Sequence, residues 1–214
     1  MGREFVPLFD QWSNNYDLTV TGHNEQYQEV FEDYEKILHS VVSEVHGTIL
    51  EFGVGTGNLT EKLVAAGHKV YGVEPSRGMI QQIQRRKINF QLFEGDFLDF
   101  PPLTEPIDAI VSTYAFHHLT DAEKEQAISI YAKLLQPHGK IVFADTIFQN
   151  QDSRRQIEEE VASQGYSGLL TDLRTEYYTT IEVLHPILSK HGFRTNFSRL
   201  NKYVWLMSAQ KEIG

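Results

Sequence analysis

Four short stretches of this chain carry residue types suited to chemistry. The first is Glu51-Phe52-Gly53-Val54-Gly55-Thr56-Gly57, where three glycines stand at alternate positions after an apolar run. Glycine lets the backbone turn tightly and pass close to a ligand with no Cβ in the way. Set between a strand and a helix N-terminus, such a loop suits a ligand with an anionic end; a glycine-rich surface turn is the plainer reading. The second is Glu74, closing Val70-Tyr71-Gly72-Val73 at 17 residues past Gly57. A carboxylate at that distance accepts the ribose hydroxyls in dinucleotide-type folds, or else it caps a helix starting near Ser76. The third is Gly95-Asp96-Phe97: Asp96 is placed to accept the exocyclic amine of an adenine and Phe97 to lie against the ring, although Asp after Gly is also ordinary turn chemistry. The fourth is the pair His117-His118, of which one, His117 being the candidate, could act as a general base. Neighbouring histidines ordinarily point different ways, so no shared metal is expected; the alternative has one packed under a helix and the other solvated.

The elements that must hold these stretches alternate along the chain. Residues 24–46 carry apolar groups at Val30, Phe31, Tyr34, Ile37, Leu38, Val41, Val42 and Val45, a helical stripe. Short β-rich runs follow at 48–52, 69–73, 89–93, 107–112 and 140–144. Helical patterns lie between most of them, at 58–66, 76–87 and 121–135. Asn58 with Glu61, Thr120 with Glu123 and Thr179 with Glu182 mark helix starts, and Gly67 and Gly139 mark stops. Such alternation predicts a parallel sheet covered by helices on both faces. Two last strands, 193–199 and 203–208, are joined only by Leu200-Asn201-Lys202. They must form an antiparallel hairpin, since a parallel crossover needs far more chain.

Composition narrows the class. The 214 residues, 41% hydrophobic and 22% charged, suffice for one α/β core, so a single domain is expected. With 29 acids against 19 bases the formal net charge is −10, which opposes binding to nucleic-acid backbones or anionic lipid. The absence of cysteine excludes disulfides, thiolate zinc sites and cysteine nucleophiles. The mixed, charged N-terminus does not resemble a signal peptide, and no apolar run approaches a membrane span. A cytoplasmic location is expected.

Taken in order, Glu51-Phe52-Gly53-x-Gly55-x-Gly57, Glu74, Gly95-Asp96, Ile107 to Ser112 followed by His117-His118-Leu119, and Leu135-x-Pro137-x-Gly139-Lys140 resemble the motifs of class I S-adenosylmethionine-dependent methyltransferases. The likeness covers residues 45–145 and is to the small-molecule branch; Phe9-Asp10-Gln11-Trp12-Ser13-x-x-Tyr16-Asp17 is similar to the opening segment of that branch. The whole chain resembles the YrrT-type methyltransferases of bacilli, whose substrate is not established. The resemblance implies a Rossmann-like sheet of seven strands in order 3-2-1-4-5-7-6, strand seven antiparallel. It also implies S-adenosylmethionine as the cofactor, a small-molecule acceptor, and a donor site drawn from Tyr16, Gly53, Gly55, Gly57, Glu74, Asp96, Phe97 and Ser112. Glu51 either serves the donor's ammonium or is a buried carboxylate.

The rival is a nicotinamide-dependent oxidoreductase. Its fingerprint needs Gly-x-Gly-x-x-Gly, but Asn58 stands at the third glycine's place and the last glycine comes one residue early, at Gly57. A non-catalytic adenosine-ligand sensor is the third possibility. In a methyltransferase the acceptor attacks the methyl carbon directly, so alignment and exclusion of water should supply most of the acceleration. Substrate would be held outside the core motifs. Residues 1–46 would form a helical cap with Phe5, Phe9, Trp12 and Tyr16 over the donor, and residues 147–178 an insertion of the kind that makes lids. In that insertion Arg174 would pair either with an acidic acceptor or with a surface carboxylate.

Overall fold

The computed structural model describes residues 3–13 and 16–212, so four of the expected cap residues, 1, 2, 14 and 15, lie outside the described part. The N-terminal segment carries α1 (Val6–Trp12), the single turn α2 (Tyr16–Leu18) and α3 (Tyr34–Ser43). Strands and helices then alternate: β1 (Thr48–Phe52), α4 (Asn58–Ala65), β2 (Lys69–Glu74), α5 (Arg77–Arg85), β3 (Gln91–Glu94), β4 (Ile107–Thr113), α6 (Asp121–Leu134) and β5 (Leu135–Phe148). Two helices follow, α7 (Gln151–Ser163) and α8 (Ser167–Thr175). The chain ends with β6 (Thr179–Thr180), α9 (Ile181–Lys190), β7 (Phe193–Arg199) and β8 (Val204–Lys211).

The sheet runs β3-β2-β1-β4-β5-β8-β7. The first five strands in this order are mutually parallel, and β8 runs antiparallel to both β5 and β7. This is the expected order with one addition: β6 pairs with the far end of β5, at Ile147 and Phe148. A two-residue strand has no periodicity to read, which is why sequence patterning counts seven strands rather than eight.

Alternate strand residues face opposite sides, and the core divides accordingly. Leu50, Phe52, Val73, Ile110, Ile141 and Phe143 join one apolar cluster with Ile128 and Tyr131 of α6 and Leu184 and Leu188 of α9. Ile49, Val70, Ala109, Val111, Val142 and Ala144 join the other, with residues of α3, α4, α7 and α8. The sheet is therefore buried on both faces, and its strand ends are where polar groups can gather.

Several local expectations are corrected. The stripe at 24–46 is not one helix: a short 3-10 turn, Glu25–Tyr27, and α3 are separated by an irregular stretch in which Asp33 adopts φ 59°. The left-handed conformation at Asp33 cannot continue a helix. Gly57, at φ 91°, precedes α4, whereas the Asn58 side chain turns away to Asp17, Tyr34 and Arg86 instead of capping. The Thr120–Glu123 capping box forms as read. Thr179 lies in β6 and Thr180 precedes α9 without a side-chain cap bond. Helix α6 stops at Leu134, and Gly139 lies inside β5, where the register against β4 shifts between Ile107 and Ala109. A Cβ on Gly139 would lie 2.9 Å from the Gln136 carbonyl and 3.0 Å from that of Asp108. Gly139 thus permits a close backbone approach rather than a helix stop.

Candidate active site: two adjoining chambers

Beyond the carboxyl ends of β1, β2, β3 and β4 lies a narrow chamber walled by Gly53, Gly55, Glu74, Asp96 and Phe97, with Phe9 and Tyr16 of the N-terminal segment across from them. The glycine loop adopts φ 66° at Gly53 and 58° at Gly55, a region that side chains disfavour. A Cβ on Gly55 would meet nothing closer than the Gly53 carbonyl at 4.0 Å, so that position faces open space. On Gly53 a Cβ would lie 2.7 Å from the Ala115 Cβ. Gly57 is different: a Cβ there would lie 2.5 Å from Ile83 of α5, so the structure gives Gly57 to helix packing and keeps it out of the chamber wall.

Glu74 joins the two loops that frame the chamber. One carboxylate oxygen accepts from the Gly55 N–H at 2.8 Å and the other from the Ser76 N–H at 2.9 Å. Burial raises its pKa to about 7 despite these bonds. Ser76 itself caps α5 by accepting from the Met79 N–H at 3.2 Å. Asp96 is buried and its Oδ1 accepts from the Leu98 and Asp99 N–H groups, both at 2.9 Å. It is both a turn residue and a wall of the chamber. Phe97 stacks on Phe52 at 5.2 Å, and its carbonyl accepts from the Tyr131 hydroxyl at 3.0 Å. The Ser112 hydroxyl lies 3.9 Å from where a Cβ on Gly53 would stand and is buried with no hydrogen-bond partner among the described residues. Glu51 points to α4, where it accepts from the Thr60 hydroxyl at 2.7 Å, and burial raises it to about 8. It takes the buried-carboxylate role.

Two aspartates tie the N-terminal segment across the chamber. Asp10 accepts from the Ser76 hydroxyl at 2.6 Å and the Gly78 N–H at 2.9 Å, and the Ser76 bond leads in lowering its pKa. Asp17 accepts from the Thr56 hydroxyl at 2.7 Å and the Asn58 amide at 3.1 Å. Both carboxylates sit at helix N-termini, where anions are favoured. The opening segment that carries the resemblance includes both, but sequence gives neither a role, because an exposed acid in a mixed segment has no local signature.

A second chamber adjoins the first and shares Phe9, Tyr16, Tyr114 and His118 with it. Tyr114, at φ 53°, stands between them, its N–H donating to the Ala144 carbonyl at 3.0 Å. The rest of the wall mixes aromatic and aliphatic side chains with two acids, and Trp12, Tyr27, Phe31, Leu169, Asp172 and Glu176 are among its members. His117 places Nδ1 2.5 Å from Asp145 Oδ1 and Nε2 3.3 Å from Glu176 Oε2, and stacks on Tyr178 at 4.6 Å. Burial opposes charging His117, but the two carboxylates prevail and raise its pKa. His118 donates from Nδ1 to the Ala115 carbonyl at 2.9 Å, and burial, with the His117 charge, lowers it to about 3. The two rings face the same carboxylate, contrary to the divergence expected of adjacent histidines. The Tyr27 hydroxyl donates to Asp172. Arg174 is on the surface, 3.3 Å from Glu158, so of its two readings the surface ion pair is the one found. Asp145, Asp172, Glu176 and Tyr27 were not singled out from sequence. Asp145 alone had a signal, an acid near the end of a buried strand.

A parallel-centred sheet with an antiparallel β8, a glycine loop after β1 and an acid closing β2 defines a Rossmann-like nucleotide-site architecture of the methyltransferase type. Residues 49–139 match the family described as methyltransferase domain. The chain is 50% identical over 216 residues to an uncharacterized methyltransferase of Geobacillus kaustophilus, covering 99% of each. It is 53% identical over 214 residues to one of Bacillus cereus, covering 99% of this chain and 100% of the relative. The chain belongs to this family and is an S-adenosylmethionine-dependent methyltransferase. Solved structures share the fold: a DhpI–SAM–HEP complex (TM-score 0.72, 18% identity, 95% of this chain and 94% of the other) and the magnesium protoporphyrin IX methyltransferase of Synechocystis PCC 6803 with bound SAM (TM-score 0.64, 16% identity, 97% of both). Among the described residues no helix is long and apolar enough to cross a membrane.

Proposed function

We propose that the first chamber holds S-adenosylmethionine, that the second holds a small-molecule acceptor, and that methyl transfer runs through the opening they share. The observation that carries this is Glu74: its carboxylate ends β2, faces the chamber and is bonded to Gly55, whose own missing side chain leaves the space open. These groups fit the donor. Glu74 suits the ribose hydroxyls, Asp96 the adenine amine and Phe97 the ring, while Gly53 and Gly55 let the methionyl tail approach backbone. Tyr16 supplies a hydroxyl, and Ser112 a buried one that lacks a partner among the described residues. Gly57 contributes by packing α5 beneath the loop.

Bound there, the donor supplies a methyl group whose sulfur departs as a neutral thioether, so no acid is needed on its side. What the chain contributes is alignment and dryness. Asp10 and Asp17 fasten the N-terminal segment over the donor, and Tyr114 fixes the passage between chambers. Residues 1–46 then act as a cap and 147–178 as a lid on one methyltransferase domain. Gln26 joins the two, its side-chain oxygen accepting from the Gly168 N–H at 2.9 Å. The protein works in the cytoplasm on a metabolite, with neither nucleic acid nor membrane as partner. Incubation with a methyl-labelled donor and a metabolite extract tests this. Label should pass to a low-molecular-weight product; transfer only to protein or RNA would overturn the small-molecule reading.

A further inference from the structure

The two histidines do more than close the second chamber. His117 and His118 follow one another on a 3-10 turn, Phe116–His118, and their rings lie 4.1 Å apart. Each ring is anchored through Nδ1, His117 on Asp145 and His118 on the Ala115 carbonyl. A carbonyl can only accept, so Nδ1 of His118 carries the hydrogen and its Nε2 the lone pair. Both Nε2 atoms are turned toward Glu176, at 3.3 Å from Oε2 for His117 and 4.0 Å from Oε1 for His118. One ligand atom from each of the three residues falls within 4.8 Å of the other two.

A proton on His117 Nε2 accounts for only half of this arrangement. It serves Glu176, to which the Tyr178 hydroxyl also bonds, but leaves the lone pair of His118 facing a Glu176 oxygen at 4.0 Å with no proton between them. A cation at the point where the three atoms converge would use the His118 lone pair as well and take that proton's place. The supporting shell is also present. Asp145 and a backbone carbonyl orient the imidazoles, which is how metal-binding histidines are ordinarily held. Phe5 and Phe9 pack against His118 at 5.0 and 4.9 Å, and Tyr178 stacks on His117.

We infer that His117, His118 and Glu176 form a site for one divalent transition-metal ion at the junction of the two chambers. Two imidazoles and one carboxylate suit zinc, iron, cobalt or manganese better than the all-oxygen preference of calcium or magnesium. Three protein ligands leave positions open toward the second chamber. An acceptor bearing a hydroxyl or carboxylate oxygen would bind there and be held toward the passage at His118, which borders both chambers. This last step rests on the donor occupying the first chamber; the metal site itself does not.

Cobalt(II) chloride is the probe, added to the untagged full-length protein after dialysis against a chelator. Visible d–d bands should saturate at one equivalent, and zinc(II) titrated by calorimetry should bind with the same stoichiometry. Glu176→Gln and His118→Ala should each weaken binding by tenfold or more. Asp145→Asn, which leaves all three ligands in place, should weaken it by about 10–100-fold and serves if the other variants fail to fold. No saturable spectrum in the wild type, or a spectrum indifferent to all three substitutions, would overturn the site. S-adenosylhomocysteine titrated into the same wild-type sample separates the two readings. S-adenosylhomocysteine binding without cobalt bands removes the metal alone, whereas cobalt bands without that binding remove the donor chamber and leave the metal.

Discussion

The two chambers lie side by side yet are built by different means. The first is organised around backbone features, a loop with two left-handed glycines, strand ends, and N–H groups that converge on Glu74. The second is made from side chains that arrive from distant parts of the chain, with Tyr27 meeting Asp172 across 145 positions and His117 meeting Asp145 across 28. A backbone site is fixed by the fold and suits a ligand that does not change. A side-chain site can be rewritten one residue at a time, which is what an acceptor pocket requires. The comparison predicts that damage to each chamber will be read out separately.

The sharpest break comes from Gly55→Val. A β-branched residue at φ 58° is strained, and its side chain fills the open space beside the loop. Binding of S-adenosylhomocysteine should fall by more than ~100-fold, with circular dichroism near wild type. Calorimetry showing full affinity would detach the glycine loop from the donor.

Next in size is Glu74→Ala, which removes an acceptor for two hydroxyls and should weaken the same ligand by roughly 10–100-fold. The wild type should also show a pH dependence of known sign. Burial raises Glu74 to about 7, and only the ionised carboxylate accepts from both hydroxyls. Affinity should therefore tighten by about tenfold from pH 6 to pH 8, and Glu74→Gln should flatten that slope. A slope retained in the Gln variant would assign it to another group.

Asp172→Asn probes the other chamber. It removes a charge from the wall of the second chamber while keeping an oxygen that can accept from Tyr27. Methyl transfer to the product labelled in an extract should slow by roughly tenfold, in line with losing a charged contact. Affinity for S-adenosylhomocysteine should stay within about twofold, a difference of under ~0.5 kcal/mol. Equal losses of both would mean that the chambers are one site.

The smallest effect is expected at Asp96. The wild type should disfavour S-inosylhomocysteine, which presents a carbonyl to the carboxylate, by at least ~10-fold. Asp96→Asn, whose amide can donate, should narrow that gap several-fold. Because Oδ1 already holds the Leu98 and Asp99 amides, the variant should also lose some thermal stability. Unchanged discrimination would leave Asp96 as a turn residue only.

What the sequence determined by itself was local or periodic. Strand direction was legible because alternation between helix and strand patterns forces parallel crossovers, and a three-residue connection between the last two strands forces a hairpin; the strand order came from the family resemblance. Glu74, Asp96 and the glycines at 53 and 55 were legible because the fold delivers strand ends to one edge of the sheet, so position along the chain translates into position in space. Tertiary structure decided the rest. Gly57 continues the same alternation of glycines as Gly55, yet it is Ile83, from α5, that assigns it to packing. Asp33 broke a helix that its apolar stripe did not betray. Above all, the convergence of His117, His118, Asp145, Asp172 and Glu176 depends on a turn after β4, the end of β5 and the helix α8 region closing on one another. Each contributes only one or two of these side chains, and so few have no spacing to read until folding supplies their partners.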